Sequence, residues 1–110
     1  MPLLTLFLKL VIGHFVADYP LQGDFLSKAK NHKQPVPGVP FYQALIAHAA
    51  IQAGMVWLIT GSLVAGSAEF LAHLMIDYAK CEGIISFNQD QIAHLLCKYI
   101  YAFVIIWFAS

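Results

Sequence analysis

The amino-acid sequence predicts an all-α polytopic membrane protein, a compact bundle of about four transmembrane helices. Of its 110 residues, 60% are hydrophobic and only 11% are charged, and the mean hydropathy is +0.70. A soluble domain carries roughly 25% charged residues, so this chain has too little charge to cover a water-facing surface. Six lysines balance six acids and arginine is absent, which excludes the basic field that binding to nucleic acid requires.

Four helices in a single domain, residues 1–110, account for the apolar runs. A helix needs about 20 apolar residues to cross the hydrocarbon core of a bilayer. Segment 41–68 has no formally charged residue, and Gly61-Ser62 and Gly66-Ser67 bracket a predicted turn. Gly54 and Gly61 are predicted to allow close helix approach. The predicted helices lie near residues 2–21, 41–61, 65–82 and 89–109, with a glycine- and proline-containing cytoplasmic loop at 22–40.

The lysines predict the orientation of the bundle in the cell's inner (cytoplasmic) membrane. Lys28, Lys30 and Lys33 lie in the predicted loop, and Lys80 lies at the end of the predicted third helix. In a multi-pass chain of four spans these two places are on the same side, which the positive-inside rule makes cytoplasmic. Both termini are therefore predicted outside. The N-terminal apolar segment lacks a basic n-region and a clean cleavage site, so we expect it to remain as the first span.

Histidines and acids recur inside the predicted spans at a spacing of four residues. His14 and Asp18 show this spacing, as do Asp90 and His94. Residues four apart share one face of a helix, and charges within a span usually face a partner, a cavity or an ion pathway. On all four predicted helices these polar residues also lie at the same depth, toward one leaflet of the bilayer. The sequence therefore predicts one polar cluster near the cytoplasmic leaflet: His14, Asp18, His48, Glu69, His73, Asp77, Asp90 and His94.

Imidazole and carboxylate donors together suit a divalent metal such as Zn, Mn or Fe. The number of donors fits two metals, or one metal with outer carboxylates and a general base. Glu69 and Asp90 are the predicted catalytic residues, as a general base or as a carboxylate that orients a ligand, although Asp90 could instead cap the fourth helix. Lys28 and Lys80 are predicted to bind an anionic substrate. The predicted metal ligands are His14, Asp18, His48, His73, Asp77 and His94.

Three functions remain open from the residues alone. The first is a metal-dependent hydrolase acting on an anionic lipid headgroup or a phosphoester at the bilayer surface. The second is an ion or proton-relay transporter, because Glu69, His73 and Asp77 form a ladder along one helix. The third is a non-enzymatic scaffold or regulator whose polar cluster locks the bundle. The bilayer is the expected partner, and a second copy of the chain could complete the apolar sheath as a homo-oligomer.

Two sequence blocks carry a resemblance to a known family. They are His14-Phe-Val-Ala-Asp18-Tyr-Pro-Leu-Gln22 and Phe87-Asn-Gln-Asp90-Gln91-x-x-His94, with Glu69, His73 and Asp77 spaced by four between them. Over nearly the whole chain this pattern resembles the bacterial and phage membrane family called domain of unknown function 3307, which implies a small integral membrane protein and no assigned activity. More loosely, the pattern is similar to inner-membrane proteins called metal-dependent hydrolases, and this similarity implies a metal site.

Overall fold

The computed structural model describes residues 2–18, 28, 30, 31, 33, 37, 38 and 40–109. Its four helices are α1 (Pro2–Val16), α2 (Phe41–Thr60), α3 (Leu63–Cys81) and α4 (Phe87–Ala109). Strands are absent from these described residues, so the prediction of an all-α chain with four helices is confirmed. Residues 19–21 of the predicted first helix and most of the predicted loop 22–40 lie outside the described residues.

A two-residue turn joins α2 to α3. Gly61 adopts a left-handed φ of +69°, and its N–H donates to the Trp57 carbonyl at 2.7 Å, which ends α2. The Ser62 hydroxyl then accepts from the Ala65 N–H at 3.1 Å and caps α3. Because of this cap, α3 begins at Leu63, two residues before the predicted start.

A reciprocal pair of hydrogen bonds starts α4. Ser86 Oγ accepts from the Gln89 N–H at 3.1 Å, while Gln89 Oε1 accepts from the Ser86 N–H at 2.9 Å. This capping box satisfies two backbone donors that the first turn would otherwise leave open. The helix therefore begins at Phe87 rather than at residue 89, and Asp90 lies inside the first turn. The alternative prediction that Asp90 caps this helix is wrong, because Ser86 is the capping residue.

The helices form a closed ring in chain order. Each helix packs against the next, α4 packs against α1, and the diagonal pairs α1–α3 and α2–α4 do not approach closely. Two glycines allow close packing against α2. A Cβ atom at Gly66 would lie 3.0 Å from Trp57 Cβ and 3.1 Å from the Ala53 carbonyl oxygen, and one at Gly13 would lie 2.6 Å from the Ile59 side chain. The close approach predicted at Gly54 and Gly61 is not found, because a Cβ there meets no described atom within 4 Å.

Polar and apolar residues are distributed in the reverse of a soluble protein. Large apolar side chains face outward, among them Leu58 (84% exposed), Val64 (81%) and Phe108 (81%). The buried polar residues of the described chain are His14, Lys30, His48, Gln52, Glu69, His73, Asp77, Asp90, His94 and Lys98. Most of them lie toward the end of the bundle that holds the α3–α4 turn. A small apolar core fills the opposite end, built around Leu10, Val56, Ala65 and Ala102.

Two helices in the described part of the chain are long and apolar enough to cross a membrane. They are α2 and most of α4, Phe87–Phe108. The 15 residues of α1 form a shorter apolar helix, and α3 contains Glu69, Asp77 and Lys80. Length and composition thus suggest a membrane location.

Replacement of the helix glycines by alanine separates close packing from helix propensity. Alanine favours a helix over glycine by up to about 1 kcal/mol, so Gly54→Ala, which adds a methyl group in open space, should not lower the free energy of unfolding. Gly66→Ala forces α2 and α3 apart, so its free energy of unfolding should be about 1–3 kcal/mol lower than that of Gly54→Ala. Circular dichroism during denaturation in detergent measures both. Equal stability of the two variants would show that the α2–α3 contact is not close at Gly66.

Candidate metal centre

Every helix contributes to one polar cluster, defined as the eight residues singled out in the sequence. His14 comes from α1, Asp18 from the π-helical turn that follows it, and His48 from the first half of α2. The remaining members are Glu69, His73 and Asp77 on α3, and Asp90 and His94 on α4. Seven of the eight are buried, and the Asp18 side chain is 12% exposed. Because the members on one helix are four residues apart, they face the inside of the bundle together, as predicted.

Asp77 lies at the centre of the cluster. Its Oδ2 atom is 3.3 Å from His48 Nε2, 3.4 Å from His73 Nε2 and 3.0 Å from the Lys30 ammonium. Its Oδ1 atom is 3.2 Å from His94 Nε2. The two oxygens of one carboxylate therefore face different sets of nitrogen atoms.

Four donor atoms, one of them Asp77 Oδ2, lie at distances from one another that are typical of a metal coordination shell. His48 Nε2 lies 2.9 Å from His73 Nε2 and 3.3 Å from Asp18 Oδ1. Together with Asp77 Oδ2, these atoms are 2.9–3.4 Å apart along four of their six edges. Donors about 2.0–2.1 Å from a tetrahedral metal lie about 3.3 Å from one another. We call Asp18, His48, His73 and Asp77 the first donor group.

A carboxylate and a lysine orient His73. Glu69 Oε2 is 2.9 Å from His73 Nδ1 and 2.6 Å from Lys98 Nζ, and all three residues are buried. Because an ionised carboxylate only accepts, Nδ1 carries the proton and the lone pair of Nε2 points at His48 and Asp77. Metal-bound histidines commonly donate their other N–H to a carboxylate in this way. Glu69 is therefore placed to position a ligand.

His94 faces the other oxygen of Asp77, and its ring stacks on the His73 ring with the centroids 4.0 Å apart. His94 Nε2 is 3.3 Å from Asp90 Oδ1 as well as 3.2 Å from Asp77 Oδ1. Among the described residues, Asp90 Oδ1 is buried without a hydrogen-bond partner. We call Asp77 Oδ1, Asp90 Oδ1 and His94 Nε2 the second donor group.

Gln91 connects His14 to the acids. Its amide nitrogen donates to Asp18 Oδ2 at 3.2 Å and to Asp90 Oδ2 at 3.1 Å. Since both carboxylates can only accept, the amide oxygen faces His14 Nε2 at 3.2 Å, and His14 acts as a donor. His14 Nε2 is 3.9 Å from Asp18 Oδ2, so it stands at the margin of the first donor group.

The cluster and its two lysines carry an excess of negative charge. Four carboxylates (Asp18, Glu69, Asp77 and Asp90) face two ammonium groups, from Lys30 and Lys98. With neutral imidazoles, two negative charges remain in a nearly water-free site, and such burial is unfavourable without compensation. One divalent cation, or two protonated histidines, would balance the charge.

The two lysines predicted to bind substrate lie outside the cluster. Lys28 is exposed in the connection between α1 and α2. Lys80 stands over the Phe87 ring, with its ammonium 5.5 Å from the ring centroid.

The site also contains three residues that the sequence pattern does not assign to it: Lys30, Gln91 and Lys98. Lys98 continues the spacing of four that begins at Asp90 and His94, and this pattern was the available signal. Gln91 follows Asp90 directly, and only its place in the block that resembles the family marks it. No periodicity marks Lys30, because it lies in a connection and reaches Asp77 only through the fold.

Comparison with known proteins identifies one family. The family profile described as "Protein of unknown function (DUF3307)" matches residues 6–110, nearly the whole chain. No curated protein and no solved structure matches the chain. The looser similarity to metal-dependent hydrolases is therefore unsupported by relatives.

Removal of the Lys98 ammonium should destabilise the bundle strongly. Lys98→Met leaves the Glu69 carboxylate buried without its cation, and breaking a buried pair from one side costs about 3–5 kcal/mol. The matched control is Lys33→Met, which breaks the pair with Glu82 at 3.3 Å, where the lysine side chain is 55% exposed. The free energy of unfolding of this control should fall by less than about 1 kcal/mol. Denaturation in detergent measures both, and the double variant Lys98→Met/Glu69→Gln should recover part of the loss. Equal effects of the two single variants would contradict a desolvated Glu69–Lys98 pair.

Proposed function

Because the chain belongs to the DUF3307 family, whose description assigns no activity, we propose its function from the geometry of the cluster: it is a membrane-embedded protein that binds a divalent metal. The observation that carries this proposal is the first donor group. Its two imidazole and two carboxylate donors come from α2, α3 and the turn that follows α1, and four of the six distances among them are 2.9–3.4 Å. This donor set suits Zn, Mn or Fe.

The charge of the cluster supports the same proposal. A divalent ion in the first donor group balances the two uncompensated negative charges. It would also replace the contact between Lys30 and Asp77 Oδ2, since both cations need the same oxygen. His73 is already oriented for this role by Glu69 and Lys98.

The membrane topology we propose has four spans in the cell's inner membrane, with the cluster near the cytoplasmic surface. Two sufficiently long apolar helices and the apolar exterior support it. The Lys33–Glu82 ion pair joins the α1–α2 connection to the α3–α4 turn, so both connections lie at the end that holds the cluster. Lys28 and Lys80 belong to the same end, and the positive-inside rule then makes that end cytoplasmic and both termini external.

The reaction we propose is hydrolysis of a phosphoester, from a lipid headgroup or a soluble compound. A divalent metal held by Asp18, His48, His73 and Asp77 would activate a bound water for attack and stabilise the developing negative charge. Asp18 is the most exposed donor of the first group, so substrate would approach from its side. Glu69 would position His73, while Lys28 and Lys80 would attract the anion to the rim.

A proton relay is the second candidate, and one observation favours it. Glu69, His73, His48 and Asp18 form a chain with steps of 2.9, 2.9 and 3.3 Å. A relay across the membrane would also have to pass the apolar core at the opposite end, built around Leu10, Val56, Ala65 and Ala102. That core opposes a complete pathway, so metal binding is the better-supported function.

Elemental analysis of detergent-purified protein tests metal binding directly. We expect at least one equivalent of Zn, Mn or Fe in the wild type and its loss in His73→Ala, because His73 supplies one of the four donors. Glu82→Gln, an acid-to-amide change outside the cluster, should retain the metal. A wild-type protein without metal after reconstitution, or a His73→Ala variant that binds as the wild type does, would overturn the proposal.

Phosphate release tests the reaction separately. Metal-loaded wild type should hydrolyse either a soluble phosphate monoester or phosphatidic acid in vesicles, and the arm that responds identifies the source of the substrate. Rates should fall to the uncatalysed level in folded His73→Ala and after chelation, because both remove the metal that activates water. A metal-loaded protein that hydrolyses neither compound would disprove phosphomonoester hydrolysis while leaving metal binding intact.

A further inference from the structure

We propose that Asp77 bridges two divalent metal ions, with the second ion held by the second donor group. This inference rests on the proposed function, which requires only one ion in the first group. The two oxygens of Asp77 support it: Oδ2 faces His48 and His73 at 3.3 and 3.4 Å, and Oδ1 faces His94 at 3.2 Å. A carboxylate that faces separate donors through each oxygen is arranged to bridge metals, which in two-metal sites lie about 3.5–4 Å apart.

The second donor group has the composition and spacing of a metal site. Asp77, Asp90 and His94 place one donor atom each within 4.8 Å of one another, and all three residues are buried. The separations from His94 Nε2 are 3.2 Å to Asp77 Oδ1 and 3.3 Å to Asp90 Oδ1, close to the edge of a coordination shell. Three protein donors leave one position for water or substrate, as in catalytic metal sites.

Asp90 provides an independent observation. Its Oδ1 atom is buried, points toward His94 and has no hydrogen-bond partner among the described residues. A buried carboxylate oxygen in this position is unfavourable unless a cation or a proton donor meets it. An ion in the first donor group would lie at Asp77 Oδ2, whereas Asp90 Oδ1 lies with His94 Nε2, which faces Asp77 Oδ1. The competing explanation is a protonated His94 that donates between Asp77 and Asp90.

A second ion also changes the charge of the site. One divalent ion brings the cluster and its two lysines to neutrality, and a second makes the site positive by two charges. Release of Lys30 from Asp77 Oδ2 would leave its ammonium close to the same site. The loaded site is then suited to a dianion, and this identifies a phosphate monoester as the substrate class.

Manganese titration followed by electron paramagnetic resonance tests the bridge without relying on activity. Metal-free wild-type protein should bind two Mn²⁺ per chain and show the half-spaced hyperfine lines of a spin-coupled pair. Asp90→Asn removes a donor of the second group only, so it should bind one Mn²⁺ with an uncoupled six-line spectrum. Glu82→Gln should behave as the wild type.

The outcomes separate this inference from the proposed function. One uncoupled Mn²⁺ in the wild type would overturn the second site and favour a protonated His94, while the single metal site would stand. Two uncoupled ions would overturn the bridge. No bound Mn²⁺ or Zn²⁺ would overturn both proposals. Because the wild-type spectrum alone decides among these results, the test does not depend on whether Asp90→Asn folds.

Discussion

The bundle depends on the compensation of one buried carboxylate. Asp77 is almost inaccessible to solvent, and its two oxygens lie within 3.0–3.4 Å of nitrogen atoms from Lys30, His48, His73 and His94. These nitrogen atoms come from the α1–α2 connection, α2, α3 and α4. An uncompensated charge in this position would be far less stable than the same charge in water. The helices must therefore pack so that their polar stripes meet, and this requirement fixes their rotation about their own axes.

The two ends of the bundle contain different interactions. The end with the cluster is held together by charged and imidazole groups, while the other end is packed around Leu10, Val56, Ala65 and Ala102. Glu69 and Lys98 lie between them, since each is about 16–18 Å along its helix from the α3–α4 turn at 1.5 Å per residue. Their pair closes the polar region on its apolar side. This division favours a site open to one face over a pathway through the bundle.

The proposed membrane location would explain the apolar exterior and the polar interior together. In lipid, apolar side chains facing outward carry no penalty, and helices associate through close packing and polar contacts. Gly66 and Gly13 allow that packing against α2, and the cluster supplies the polar contacts. A protein with this distribution has little hydrophobic reason to bring its helices together, so the same residues that could bind a metal also hold the fold.

The sequence by itself determined the all-α class with four helices and the membership of most of the cluster. Four helices follow from apolar runs and turn residues, and the inward-facing histidines and acids follow from a spacing of four, because helix periodicity is a local property. Only the tertiary structure decided which atoms meet. Asp77 at the centre, Gln91 between His14 and the acids, and Lys30 on Asp77 all depend on how separate segments are placed in space. A lysine in a connecting segment has no periodicity to reveal its partner, since its position is set by contacts distant in sequence.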